Sequence, residues 1–177
     1  MKYYLYNYFN KVDWVDCFPY TDPNCPSDNH YQITTDVIFD EYGRLVAKYH
    51  KSHEWPGLMP LYDQPSEPSR VTYNSSFGVE FGLFICFDIM FQDPPVALVK
   101  NGVRHFLYAV KQGLIGEDTI ISGFSSRHNV TMLSSNLAAT VHDCSGVIVN
   151  GTTLPSKRIM IGSDYPEENV ILSIIQK

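Results

Sequence analysis

The stretch from Phe77 to Phe91 restricts the fold more than any other part of the chain. Phe77, Val79, Phe81, Leu83 and Ile85 alternate with Gly78, Glu80, Gly82 and Phe84. This two-residue period predicts a strand with one strongly apolar face. The pattern stops at Cys86. Asp93-Pro94 reads as an N-cap with proline at the first helical position, Val96, Leu98 and Val99 follow, and Asn101-Gly102 gives a stop. Val103 to Val110 then predicts the next strand. Strand, cysteine, turn, helix and strand make a βαβ crossover between parallel strands. Ligands approach such sheets at the carboxyl ends of the strands, so a thiol there is placed to act as a nucleophile. A free cysteine is also commonly a small buried hydrophobe, and spacing leaves both readings open.

Bulk properties narrow the function classes. The 177 residues suffice for one domain, residues 1–177, with a real core. No stretch reaches membrane-spanning length. A net charge of −6 without a basic run argues against nucleic acid or an anionic membrane as partner. The start, Met1-Lys-Tyr-Tyr-Leu-Tyr-Asn-Tyr-Phe9, lacks the apolar core and cleavage site of a signal peptide. Two features nevertheless point to an oxidising compartment. Cys17 and Cys25 bracket a Pro-rich loop, as a local disulfide would, although two independent thiols fit the spacing equally well. Asn74-Ser-Ser, Asn129-Val-Thr and Asn150-Gly-Thr are acceptor sites for N-glycosylation.

In chain order, Tyr3 to Phe9 reads as a buried strand and Trp14 to Ser27 as loop. Tyr31–Phe39 and Arg44–His50 read as two strands joined by a turn at Asp40-Glu-Tyr-Gly43. Lys51 lies where the second strand ends. Residues 56–68 carry four prolines and read as an irregular excursion. After the Cys86 unit come a helix over Glu117–His128 and strands over Val130–Ala138, Gly146–Val149, Ile159–Ile161 and Val170–Ile175. The whole is a mixed α/β domain.

Partners for Cys86 are few. Glu80 is roughly 20 Å away along an extended strand and is excluded as a base. Asp88 reads first as favourable electrostatics in a helix's first turn. The six histidines show no metal-ligand spacing. His50 and His53 flank Lys51, which by itself reads as a solvated strand-end cation.

Phe84-Ile-Cys-Phe-Asp-Ile-Met-Phe91, preceded by Tyr49-His-Lys-Ser-His53, resembles the nitrilase-type carbon–nitrogen hydrolases, specifically their vanin/biotinidase branch. Asp16-Cys17 and Thr21-Asp-Pro-Asn-Cys-Pro26, followed by Thr34-Thr-Asp-Val-Ile-Phe-Asp40 and Gly43, resemble the same branch. The blocks keep their order from about residue 3 to residue 110, and the C-terminal third resembles the branch more loosely. The resemblance implies a four-layer αββα sandwich and an amidase with a Cys-Glu-Lys triad. Cys86 would attack a linear amide carbonyl, form a thioester and release the amine. Lys51 and the backbone N–H of Phe87 would hold the tetrahedral oxyanion. It implies no metal or organic cofactor, pantetheine-like or biotinyl-amide small molecules as substrates, and secreted or lipid-anchored glycoproteins. That context fits a Cys17–Cys25 disulfide and sugars at Asn74, Asn129 and Asn150.

The departures from the branch are specific. Its glutamate base lies well ahead of the lysine block, whereas here only fifty residues precede Lys51 and Glu41 is the single glutamate among them. Glu54, three residues after Lys51, is a weak substitute on spacing. Tyr108-Ala-Val-Lys-Gln112 lacks the tryptophan the branch tends to place at its last position. The expectation is therefore an N-terminally truncated sandwich without its first strands and helices, prone to associate through exposed sheet edges. Two functions follow: an amidase carrying two of three catalytic residues, or an inactive family member acting as a binding module.

Overall fold

The computed structural model describes residues 6–40, 42–59, 61–110, 116–136, 145–154, 157–160 and 169–172. Alternating side chains and turn residues build eleven strands among them. An antiparallel sheet is ordered β1 (Tyr6–Asp16), β2 (His30–Phe39), β3 (Leu45–His50). A mixed six-stranded sheet runs β4 (Thr72–Asn74), β5 (Glu80–Ile85), β6 (His105–Ala109), β7 (Thr131–Ser135), β8 (Gly146–Val149), β9 (Thr152–Thr153). The strands β10 (Lys157–Met160) and β11 (Asn169–Leu172) pair with each other. The helical turn α1 (Ala97–Lys100) links β5 to β6, and α2 (Glu117–His128) links β6 to β7. None of the described helices is long and apolar enough to cross a membrane.

The predicted βαβ unit is present: β5, β6 and β7 are parallel, with Phe84 beside Tyr108 and Gly82 beside Phe106. Their rings share one face of the sheet. Phe124 of α2 packs on Phe84 and Phe106, so the helix layer covers this face. By the strand period, Leu83, Ile85 and Leu107 point the other way, toward the three-stranded sheet, whose Ile38 and Tyr49 join the same core. Helix, sheet, sheet is thus the layer order, part of the four-layer sandwich expected. Strand β5 is buried on both faces from Phe81 onward rather than on one, as a central parallel strand should be.

One expectation fails and another is refined. Trp14–Ser27 is not all loop, because β1 continues through Asp16 in register with His30. The kink at Asp93 is where helical backbone restarts, with Pro94 the first residue after it, as expected. Asp93 is extended, at φ −119° and ψ 130°, as a residue before proline prefers, and Arg70 binds its carboxylate through Nε (2.9 Å) and Nη2 (2.5 Å). A π-helical turn at Gln92–Val96 precedes the short α1. The helix over Glu117–His128 has the expected bounds. Strand β7 stops at Ser135, short of Ala138, and Ala138 lies outside the described residues, as do Glu41, Lys111, Gln112 and Cys144.

Cys17 and Cys25 form a disulfide with a Cα–Cα distance of 5.7 Å, closing the loop that leads into β2. At the outer side of the hairpin, Asp13 of β1 meets Lys48 Nζ at 2.6 Å and His50 Nε2 at 2.7 Å. The Lys48 hydrogen bond chiefly holds the Asp13 carboxyl below its ordinary value, against the effect of burial. Its stabilisation is therefore complete above the ordinary aspartate range and lost as pH falls through the lowered value. Thermal unfolding of Asp13→Asn and the parent should accordingly differ at pH 6 and converge toward pH 3, whereas a constant difference would refute the pairing. At Gly82 an added Cβ would stand 2.7 Å from a Phe106 ring carbon and 3.1 Å from a Val103 methyl. Gly82→Ala is expected to cost about 1–3 kcal/mol in urea unfolding by overpacking, and an unchanged midpoint would count against it.

Candidate active site

Two short segments meet where β3 and β5 end. The first is the strap from Tyr49 to Trp55. Backbone N–H of Lys51 donates to Thr34 O at 2.8 Å, extending the β2–β3 ladder by one residue before the strap turns away. The second is the turn Cys86–Met90, a 3₁₀ turn that follows β5 directly.

Asp88 joins them. Its carboxylate is fully buried and accepts from four donors: Tyr49 Oη at 2.8 Å, His53 N–H at 2.8 Å, His53 Nδ1 at 3.0 Å and Ile85 N–H at 3.0 Å. The phenol of Tyr49 is pushed far above its ordinary range, first by burial and then by the Asp88 charge, so it remains a neutral donor. Ser52 closes the strap, its Oγ lying 2.9 Å from Tyr49 Oη and its N–H donating to that phenol oxygen at 3.1 Å. Aromatic contacts run alongside: His53 stacks on Phe91 at 3.7 Å, and Trp55 meets Phe87 edge-on at 5.0 Å. Asp88 is the acidic first-turn residue expected, reaching back to the Ile85 N–H, and it does more. It is the clamp between the lysine segment and the cysteine segment.

Cys86 is buried and lies outside the disulfide. Its φ is +47°, a left-handed conformation that a residue with a side chain adopts only under constraint. Tyr108 Oη donates to Cys86 O at 2.8 Å and holds this geometry from β6. A nucleophile on a sharp strand-to-helix turn is displayed above the sheet instead of lying along it.

Lys51 is not a solvated cation. It is buried, and its Nζ donates to Glu54 Oε2 at 2.8 Å, with Glu54 buried as well. Glu54 is in turn held by Gln64, whose Oε1 accepts the Glu54 N–H at 3.1 Å. The second oxygen, Glu54 Oε1, is buried without a hydrogen-bond partner among the described residues. An unsatisfied buried oxygen costs about 1–3 kcal/mol. The structure thus joins the strap that carries Lys51 and Glu54 to the turn that carries Cys86 and Phe87 through Asp88, Tyr49 and His53, with Tyr108 on the Cys86 carbonyl. The clue to Asp88 was the cluster of polar residues around Lys51, but no spacing linked them to it.

The remaining candidates lie elsewhere. Asn74 ends β4, Asn129 caps α2 at φ +50° and Asn150 turns β8 into β9 at φ +48°; all three are exposed. The last two turns are adjacent, with Asn150 N–H on Val130 O at 3.3 Å. Asparagine suits left-handed positions for conformational reasons alone, which accounts for two of the three independently of any sugar.

Residues 17–149 match the family model described as carbon–nitrogen hydrolase. Human (Homo sapiens) pantetheinase is 52% identical over 81 residues, 46% of this chain and 15% of that protein. Biotinidase of Takifugu rubripes is 37% identical over 138 residues, 75% of this chain and 27% of that protein. Biotinidase of Rattus norvegicus is 31% identical across 86% of this chain and 30% of its own length. The chain therefore spans between 15% and 30% of the length of these relatives. Among solved structures, an amidase of the nitrilase superfamily from Nesterenkonia AN1 superposes with a TM-score of 0.60 at 17% identity, over 79% of this chain and 53% of that one. Its likeness shows a shared fold.

Asp88→Asn places an amide N–H2 among four donors and is expected to cost about 3–5 kcal/mol, as for a broken buried polar network. Urea unfolding of the 177-residue chain measures it. A loss below about 0.5 kcal/mol, the level of an ordinary surface change, would remove Asp88 from its place as the clamp.

Proposed function

Since this chain belongs to the carbon–nitrogen hydrolase family, we propose that it is an amidase acting on linear, non-peptide carbon–nitrogen bonds through a cysteine thioester. One observation supports the reading above the others: Cys86 occupies a constrained elbow at the carboxyl end of β5, clamped by Asp88 to the segment bearing a buried lysine. In this reading Cys86 attacks the amide carbonyl. Lys51 and the backbone N–H of Phe87 face the oxyanion as charge develops. Collapse releases the amine, and water then frees the acid from the thioester. A lysine beside the thiol also favours the thiolate.

Pantetheine-like and biotinyl amides are the substrate classes we infer, because the relatives are named pantetheinase and biotinidase. The same reading places the protein at the cell surface or outside the cell, with sugars on Asn74, Asn129 and Asn150. Its support is the Cys17–Cys25 disulfide, which persists in oxidising compartments, and the exposure of all three asparagines.

A second reading also has support. The Lys51 ammonium already holds Glu54, which competes with an oxyanion, and this favours an inactive member that binds without turnover. Release of cysteamine from pantetheine and of lysine from biotinyl-lysine separates the two. As an amidase, the chain turns over one of them, Cys86→Ala abolishes the rate, and Lys51→Met lowers kcat by about 10²–10³-fold. Turnover untouched by Cys86→Ala would overturn the nucleophile, and no turnover by the intact chain would favour the binding reading.

A further inference from the structure

A cavity of about 190 Å3 lies where the disulfide loop and the start of β2 meet the turns that follow the strap. Its lining combines Asp28, His30 and Asp63 with apolar Pro26, Met59 and Leu61, and it contains no lysine or arginine. We propose that this cavity binds a small primary alkylammonium ion, at a site separate from Lys51 and Cys86 and independent of the amidase reading above.

The polar groups carry the assignment. His30 Nδ1 lies 2.9 Å from the Asp28 carbonyl oxygen, which can only accept, so the neutral imidazole keeps its proton on Nδ1. Nε2 is then an acceptor. It is buried without a hydrogen bond among the described residues, and Asp28 Oδ2 stands 3.3 Å from it. Two acceptors thus lie side by side with no donor between them, an arrangement that a positively charged N–H donor completes. Asp63 adds a second carboxylate. It is fixed in place, because its Oδ2 accepts the Gln32 N–H at 2.8 Å and its own N–H donates to Gln32 O at 2.8 Å. The negative field extends to Tyr31, whose phenol is pushed up to about 12, first by its hydrogen bond to Asp22 and in smaller part by the Asp63 charge. A metal ion fits less well, because among the described residues no three His, Cys, Asp or Glu side chains converge as one requires.

The apolar wall suits the other end of the ligand. Met59 and Leu61 are 50% and 62% exposed, surface that an alkyl chain would cover. The volume limits that chain to a few carbons. The frame is held beforehand: the Cys17–Cys25 disulfide precedes Pro26, Asn29 N–H donates to Pro26 O at 3.0 Å, and Leu61 N–H donates to Leu58 O at 2.8 Å. Trp14 packs on the His30 ring at 4.1 Å. Binding therefore has little left to order.

The probe is n-butylammonium chloride at pH 7, titrated into the isotope-labelled 177-residue chain and followed by amide proton–nitrogen correlation spectra. Signals of residues 28–32 and 61–63 are expected to move with a Kd of about 1 mM. n-Butanol, equal in length but uncharged, should bind at least about tenfold more weakly, as should n-butylammonium to Asp28→Asn and to Asp63→Asn. The asparagine oxygen at position 63 can still accept the Gln32 N–H, and should that variant not fold, Asp28→Asn alters only an exposed loop carboxylate. No shifts at about ten times the expected Kd would overturn the proposal. So would equal binding of butanol, undiminished binding by both variants, or shifts confined to residues 84–91, which would put the amine at the cysteine turn. Nα-acetyl-lysine methylamide carries the same four-carbon ammonium on a peptide backbone. Tighter binding of that compound would reassign the cavity to a lysine of a protein partner and overturn the free amine as its ligand.

Discussion

A single buried carboxylate carries the geometry of this molecule. Asp88 accepts the phenol of Tyr49, both nitrogen donors of His53 and the N–H of Ile85, and it has no exposure to water. A carboxylate is tolerated in such a place only when protein donors replace its hydration. The same requirement works in reverse on the donors. Tyr49 and the strap that follows β3 are fixed because Asp88 takes up their buried donors. The clamp therefore sets where Lys51 lies relative to Cys86, although neither residue touches Asp88 in any of these bonds.

Behind the clamp is a stiff apolar platform. Phe84, Phe106, Tyr108 and Phe124 pack ring against ring between the six-stranded sheet and α2. Tyr108 belongs to both systems, its ring to the platform and its hydroxyl to the Cys86 carbonyl. A left-handed cysteine is costly in isolation and persists where the surroundings over-determine it. Here it is held from the back by Tyr108 and from the front by the turn that Asp88 closes.

The pair Lys51–Glu54 is of a different kind. Its members are three residues apart and buried together, so each offsets part of the other's desolvation. The arrangement leaves one glutamate oxygen unsatisfied among the described residues, which well-packed interiors generally avoid. Retention of an open acceptor on a carboxylate that holds a buried lysine sets this corner apart from the platform, where packing alone accounts for the residues.

Elements whose cause is local were legible in the sequence: the hairpin of β2 and β3, the βαβ unit around Cys86 and the bounds of α2. Periodicity and turn residues determine these over a few positions, and the order of the lysine and cysteine blocks was enough to indicate the family. Other features depended on distant partners. Trp14 to Asp16 became strand because β2 supplied hydrogen bonds, and the Asp93 carboxylate found its partner in Arg70, 23 residues away. Asp88 read as a terminal charge until donors 35 and 39 residues distant surrounded it. Lys51 read as a solvated strand-end cation until the layers closed over it. By itself, then, the sequence determined the family and the local elements on which Lys51 and Cys86 sit. Tertiary structure decided which side chains were buried together, since the strength of a polar contact depends on the water excluded around it, and only packing excludes water.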